Sequence, residues 1–245
     1  NGNRVTKKEV PEGGGSVGDT IYTYYVRDAS GNIMATYKFK SPEPQTIPSE
    51  IYLDEFNLYG SSRLGTMNID KKFSEMTDPN PIQHYLGKKR FELTNHLSNQ
   101  LSVISDKKID VDTSSDGKID YFYPIVLSIN DYYGFGMIQP GRNFNSSEYR
   151  FGFNGKENDN ELMGVGNWQD YGERMYNPRL GRFPSPDPII VNEQKYPWYS
   201  PYHFAGNKPI WAIDLDGLEE VFFQRNIQND KAWIHIYTAS RDTTE

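Results

Sequence analysis

Two β-strands joined by a turn are predicted by residues 20–39, TIYTYYVRDASGNIMATYKF. Apolar residues occupy every second position on both sides of the turn, at Tyr22, Tyr24 and Val26 and again at Ile33, Ala35, Tyr37 and Phe39. This period of two is typical of a strand with one buried face, because successive side chains point to opposite sides of a sheet. Asp28, Gly31 and Asn32 favour a tight turn, since Gly and Asn tolerate positive φ. We therefore predict a β-hairpin whose tyrosine-rich face is buried.

The same strand–turn–strand pattern recurs further along the chain. Asn95, Ser98 and Asn99 occupy the turn positions held by Asp28, Gly31 and Asn32 in the first hairpin. The spacing is too irregular for a strict solenoid, so the repeat is degenerate. Further strands are predicted at 51–59, 63–67, 121–127 and 132–137, with an acidic turn region at 106–120. From Tyr149 onward, Gly, Asn, Pro and aromatic residues alternate with little periodicity, which predicts a turn-rich segment.

Composition excludes several classes of protein. The 245 residues include 18 Tyr, 13 Phe and 4 Trp but no Cys, and only 36% are hydrophobic. Without Cys there is no disulfide framework, thiol catalysis or Cys-ligated zinc, and a core must be built largely from Tyr and Phe. The sequence contains no run of 18 apolar residues, so it predicts no membrane-spanning helix. The net charge of -7 argues against a nucleic-acid-binding surface. The four histidines show no metal-binding spacing; they are His84, His96, His203 and His235.

The turn-rich segment contains an ordered series of motifs. They read YRFGFNGKE (149–157), DYGERMYNPRLGRF (170–183), SPDP (185–188), YHFAGNKPI (202–210) and IDLDGL (213–218). This series resembles the RHS/YD-repeat-associated core domain of bacterial polymorphic toxins, in the style of Bacteroidota members. The hairpin sequence YYVRDASGNI (24–33) resembles a YD repeat of the same proteins. The resemblance covers nearly the whole chain up to Leu218.

The resemblance implies an all-β fold in which hairpins form part of a spiralling β-cocoon shell, closed by a turn-rich plug. Residues 1–148 are then repeat hairpins, 149–218 the core domain, and 219–245 the start of a variable toxin region. The implied partners are the chain's own C-terminal toxin and upstream repeats, together with an immunity protein and secretion machinery. No cofactor is required, and the implied location is outside a bacterium or on its surface. The alternative is a cell-surface adhesion or motility protein that uses the same repeats without a toxin.

Three aspartates are the candidate catalytic residues. In the resembled family, self-cleavage depends on aspartates arranged as in an aspartyl protease, and Asp187, Asp214 and Asp216 match these motifs. The implied junction is Leu218–Glu219. Two carboxylates held close together resist double ionisation, so that one can activate water while the other, protonated, polarises the carbonyl. The alternative is that these aspartates only form turns. The family's common Pro is Leu215 here, which puts efficient cleavage in doubt.

Three arginines accompany these aspartates in sequence. Arg174, Arg179 and Arg182 carry guanidinium groups that can pair with carboxylates or backbone carbonyls. We predict mainly a structural role for them, with orientation of the catalytic aspartates as the alternative.

An acidic loop is a candidate calcium site. Asp112, Ser114, Asp116 and Asp120 stand at positions 1, 3, 5 and 9 of a loop with Gly117 at position 6, which suits oxygen coordination of Ca²⁺. Tyr123 occupies position 12, where a glutamate is usual. The alternative is a solvated acidic hairpin loop.

Overall fold

A computed structural model describes residues 3–10, 20–41, 50–76, 84–145, 149–192, 199–218, 220–228 and 231–238. For the last two segments it describes the backbone alone. Helices are short in these residues: α1 is Asn160–Met163 and α2 is Pro188–Asn192. None of the helices in the described part of the chain is long and apolar enough to cross a membrane.

Strands make up most of the regular structure. An antiparallel sheet follows chain order through β1 (Thr6–Glu9), β2 (Thr20–Arg27), β3 (Ile33–Ser41), β4 (Ile51–Tyr59), β5 (Arg63–Lys72), β6 (Lys89–Thr94), β7 (Gln100–Val111), β8 (Tyr121–Tyr132) and β9 (Ile138–Asn145). Two small sheets contain β10 (Glu157–Asn158), β11 (Gln169–Asp170) and β12 (Met175–Tyr176), and β13 (Ala212–Asp214), β14 (Glu220–Gln228) and β15 (Lys231–Thr238). The fold is therefore all-β, as the sequence predicts.

The chain divides into two compact units. Of the described residues, those within 3–92 and 103–126 form the sheet unit, and those within 93–102 and 127–238 form the plug unit. The plug unit thus takes in one hairpin turn and the β8–β9 region besides the motif-rich segment. The boundaries between these units do not coincide with residue 148, where the resemblance places the end of the repeat hairpins. The domains 1–148, 149–218 and 219–245 stay predictions.

The first hairpin forms where the sequence predicts it, but with a different buried face. Asp28 closes the turn by accepting hydrogen bonds from the backbone of Ser30 and Asn32, at 2.9 and 2.8 Å. Thr23 and Tyr25 are buried, whereas Tyr24 and Val26 are 40% and 46% exposed. The expected burial of the tyrosine-rich face is therefore wrong for this part of the strand. Its rings instead pack on one another along the sheet, with Tyr22, Tyr24 and Phe39 in stacked pairs.

A second correction concerns the residues after β8. The sequence predicts a strand over 132–137, but Tyr133 and Met137 close a turn, in which the Tyr133 amide donates to the Met137 carbonyl at 2.8 Å. Gly136 takes a φ of 87° there, which a residue with a side chain rarely adopts. The chain then continues as β9. Pro140 and Gly141 are unusual inside a strand, so the sequence does not predict β9.

Aromatic residues form the core of the plug unit. Phe153, Tyr171, Tyr176, Phe183 and Phe204 are at most 2% exposed and enclose Ala205 and Ala212. Their rings meet edge-on or tilted in most pairs, with Tyr171 and Phe183 perpendicular at a centroid distance of 5.7 Å. Such pairs add to the free energy gained from the buried area itself. The prediction of a core built from Tyr and Phe is thus confirmed for this unit.

Candidate functional site

The motif segments converge on one buried cluster in the plug unit. Asp214 is the last residue of β13, Asp187 directly precedes α2, and Arg174 lies in the turn before β12. These three residues are 3%, 1% and 4% exposed, respectively. Buried charges are stable only when they are paired and hydrogen-bonded. The contacts of the arginine show how this cluster meets that condition.

All three guanidinium nitrogens of Arg174 make polar contacts. Its Nη2 lies 3.1 Å from Oδ2 of Asp187 and 3.9 Å from Oδ2 of Asp214. Nη1 donates to the Pro201 carbonyl at 3.1 Å, and Nε donates to the carbonyl of Gly217. The group also lies over the ring of Phe183, 3.8 Å from its centroid. One cation therefore connects both motif aspartates to the backbone just before the predicted junction.

Asp214 also holds the turn that follows it. Its Oδ1 accepts a hydrogen bond of 2.6 Å from the Gly217 amide. Burial raises the pKa of this carboxyl to about 7, although Arg174, the Gly217 amide and Lys156 all oppose the rise. Near neutral pH the carboxyl is therefore present both protonated and ionised, which is the state that general acid–base chemistry requires.

Asp187 has a clear structural task as well. Its Oδ1 accepts from the Ile189 amide at 2.9 Å, at the start of α2, where Pro188 is the first helical residue. Its own amide donates to the Pro201 carbonyl at 2.7 Å. A carboxylate in this position satisfies a backbone donor that the helix leaves unpaired. Turn formation and contact with Arg174 are thus combined in one side chain.

Asp216 and the predicted junction lie at the edge of this cluster. Asp216 is exposed, and its Oδ1 accepts from the Leu218 amide at 3.0 Å. Its carbonyl accepts from the Glu173 amide at 2.9 Å. Leu218 is partly buried, while Glu219 falls outside the described residues. The structure therefore brings Asp187 and Asp214 together on Arg174 and leaves Asp216 at the surface.

Two further residues belong to the cluster although sequence reasoning did not select them. Lys156 donates from Nζ to the Leu215 carbonyl and lies 4.9 Å from the centroid of the Tyr171 ring. Tyr171 is fully buried beneath the turn, and burial raises its pKa well above the usual value. Lys156 stands in the motif FNGKE, but no spacing rule connects it with a carbonyl 59 residues away. Two cations thus hold carbonyls of the turn at 214–217.

The other two predicted arginines lie away from the aspartates. Arg179 and Arg182 are both exposed. Their backbone takes part in a tight turn, in which the Asn177 amide donates to the Arg182 carbonyl at 3.1 Å. Of the three arginines, Arg174 is the one that the structure places among the motif aspartates.

The acidic loop uses its carboxylates to order its own backbone. Asp112 accepts from the Gly117 amide at 2.8 Å, Asp116 from Lys118 at 2.9 Å, and Asp120 from Thr113 at 2.8 Å. The Ser114 hydroxyl lies 3.2 Å from Asp112. Within the described ranges, no three His, Asp or Glu side chains are grouped so that they could hold a metal ion. Calcium binding by Asp112, Ser114, Asp116 and Asp120 stays a prediction.

We expect the change Gly217→Ala to destabilise the plug unit by about 2–4 kcal/mol, since strain and overlap act together. Gly217 has a φ of 90°, and a Cβ there would lie 3.0 Å from the Arg174 amide nitrogen, a backbone atom that cannot move freely. The matched control is Gly141→Ala, which shares a positive φ of 72° but has nothing within 4 Å of the added Cβ. Urea unfolding compares the two variants. Equal losses would show that Gly217 is not closely packed.

Comparison with known proteins gives distant similarities. No family model matches the chain. Over 196 residues it is 29% identical to salivary gland surface protein 1 of Aedes aegypti, an alignment that covers 79% of this chain and 4% of that protein. The fold is similar to crystal structures of TcdB2-TccC3, with a TM-score of 0.43 and 15% identity over 87% of this chain and 10% of that one. A TcdB2-TccC3 structure without its hypervariable C-terminal region gives a TM-score of 0.42.

Proposed function

We propose that this chain closes one end of a larger β-sheet shell and presents the polypeptide that follows Leu218. The observation that carries the proposal is the pair of contacts from one buried guanidinium to Asp187 and to the Gly217 carbonyl. They tie the last motif of the chain to the interior of the plug unit. Such contacts fix the backbone just before Leu218. A fixed backbone suits the junction between the proposed shell and the polypeptide that follows it.

The shell itself is proposed from the hairpins. An antiparallel sheet that continues in chain order leaves unpaired donors and acceptors at its edge strands. Further repeats of a longer protein are the natural partners for those edges. The extent of the Aedes relative supports a longer protein, because the alignment occupies 4% of its length.

We propose that the shell contains a toxin, because the motifs of residues 149–218 resemble the core domain of polymorphic toxins. Its implied partners are an immunity protein and secretion machinery, and the implied location is outside a bacterium or on its surface. The second candidate function is a cell-surface adhesion or motility protein without a toxin. The Aedes relative is a salivary gland surface protein, which favours that candidate.

Self-cleavage after Leu218 is the catalytic part of the proposal. In the proposed step the ionised carboxylate of one aspartate removes a proton from water, whose oxygen attacks the Leu218 carbonyl carbon. The protonated carboxyl of the other aspartate polarises the carbonyl oxygen, and the C–N bond to Glu219 breaks as the departing amine takes a proton. Asp214, with its pKa of about 7, is available in either form. Since the bond belongs to the same chain, the reaction turns over once.

Intact-mass measurement on the full-length protein tests this function. The proposal predicts two products separated at Leu218–Glu219, with the downstream product resistant to added trypsin while the shell is intact. Asp187→Asn and Asp214→Asn should each remove the cut, and Asp214→Asn, which retains an oxygen for the Gly217 amide, should leave the downstream polypeptide protected. A full-length mass that persists for days would refute self-cleavage. Rapid digestion of the downstream polypeptide in all three proteins would refute the shell and favour the adhesion candidate.

A further inference from the structure

A cleft of about 370 Å³ opens in the plug unit, and Arg174, Asp187 and Asp214 are not among its lining residues. Two turns form part of its wall; one contributes Asn95, His96, Leu97 and Asn99, and the other contributes Tyr132, Tyr133 and Gly134. Its volume is within the usual range for small-ligand sites. The lining includes the apolar side chains of Leu101, Phe153 and Ile210 and the amide side chains of Asn95, Asn99 and Gln139.

Each of the three polar side chains has one end fixed and one end available. Asn95 Oδ1 accepts from the amides of Leu97 and Asn99, at 2.9 and 3.1 Å. Asn99 Oδ1 accepts from the backbone and side-chain nitrogens of Asn154, at 2.9 and 3.1 Å. Gln139 Nε2 donates to the Tyr132 carbonyl at 3.0 Å. These bonds fix the orientation of each amide group, because a backbone N–H can only donate and a carbonyl can only accept.

The available ends are two donors and one acceptor. Within the described part of the chain, Nδ2 of Asn95, Nδ2 of Asn99 and Oε1 of Gln139 have no hydrogen-bond partner. Asn99 is 7% exposed and is the most buried of the three residues, whereas Asn95 and Gln139 are partly exposed. A ligand in the cleft can therefore pair with these available ends in place of water.

The charged groups of the cleft neutralise each other. Arg142 contacts Asp131 through a nitrogen–oxygen distance of 2.6 Å. The pair carries no net charge, so a neutral ligand is compatible with the lining. The ligand should therefore offer an acceptor to the asparagines, a donor to Gln139 and an apolar group to Leu101, Phe153 and Ile210.

We propose that this cleft binds one residue of an extended peptide from a separate polypeptide chain. A main-chain amide presents a carbonyl to Asn95 or Asn99 and an N–H to Gln139, and an apolar side chain packs on Leu101, Phe153 and Ile210. Extended peptides are commonly bound in this way, with main-chain hydrogen bonds for affinity and side-chain pockets for specificity.

Ligand-observed saturation-transfer NMR with N-acetyl-leucine N-methylamide tests the proposal. We expect binding of this probe to the wild-type chain and weaker binding of the glycine analogue, which lacks the apolar side chain. Asn95→Asp keeps the oxygen that orders the turn but replaces the free donor by an acceptor, and should weaken binding about tenfold. The matched control is Asn143→Asp, a change at an exposed residue of β9 outside the cleft, which should leave binding unchanged.

Three results would overturn the proposal. The first is the absence of saturation transfer to the leucine compound up to its solubility limit. The second is equal binding by Asn95→Asp and Asn143→Asp. The third is binding of D-glucose at this cleft in place of the leucine compound, which would assign the amide groups to a saccharide.

Discussion

Replacing Arg174 by methionine is expected to destabilise the plug unit by about 3–5 kcal/mol at pH 8, the usual consequence of leaving a buried charge without its partner. Asp187 and Asp214 are both almost fully buried and both contact the guanidinium of Arg174. The carbonyls of Pro201 and Gly217 also lose their donor. Methionine keeps an unbranched apolar stem in place of that of arginine, so the loss reports mainly the missing guanidinium contacts. Urea unfolding followed by circular dichroism measures the change.

Two controls separate this loss from a general sensitivity of the segment. Arg182→Met changes an exposed arginine of the same motif and should stay within about 0.5 kcal/mol of wild type. Combining Arg174→Met with Asp187→Asn and Asp214→Asn removes the unpaired charges and should recover most of the stability. If Arg174→Met is no worse than Arg182→Met, the buried cluster does not exist as described.

The change Asp214→Asn is expected to stabilise the chain at pH 8 and to have little effect near pH 4. The pKa of Asp214 is raised from 3.8 to about 7 in the folded protein. The folded state therefore binds this proton more tightly than the unfolded state does. The stability that the proton contributes is complete below pH 3.8 and is lost as the pH rises through about 7. The difference corresponds to at most about 4 kcal/mol.

Asparagine keeps the neutral form at every pH and retains an oxygen for the Gly217 amide. The stability of Asp214→Asn relative to wild type should thus rise between pH 4 and pH 8, as measured by urea unfolding at several pH values. Asp187→Asn is the opposite control, because it removes the closer partner of Arg174 and should destabilise at pH 8. A relative stability of Asp214→Asn that does not change with pH would contradict the raised pKa.

The fold class follows from the sequence, whereas the orientation of the strands does not. Alternation around Asp28–Asn32 is enough to predict β2, β3 and the turn between them. Which face is buried depends on what packs against it, and local shifts in register alter the outcome. The register shifts between Val26 and Arg27 and again between Thr36 and Tyr37. Each bulge changes the residues that face a given side, so alternation alone does not identify the buried face.

The candidate site was predictable only in part, for a similar reason. Asp187 and Asp214 stand in recognisable motifs, but Arg174, Arg179 and Arg182 are the same residue type in one short segment. Tertiary packing distinguishes them, since Arg174 faces the ring of Phe183 and the two exposed arginines lie in a surface turn. Lys156 reaches Leu215 from a distant part of the sequence, a contact that no local pattern encodes.

Hydrogen exchange at the Gly217 amide tests most directly whether the buried cluster holds the chain before the predicted junction. This amide donates to Asp214, and the carbonyl of the same residue accepts from Arg174. We expect the Gly217 amide to exchange as slowly as amides in the aromatic core of the plug unit, and Arg174→Met to accelerate its exchange far more than Arg182→Met does. Exchange in the wild-type chain at the rate of an unstructured peptide would show that the cluster does not hold this turn.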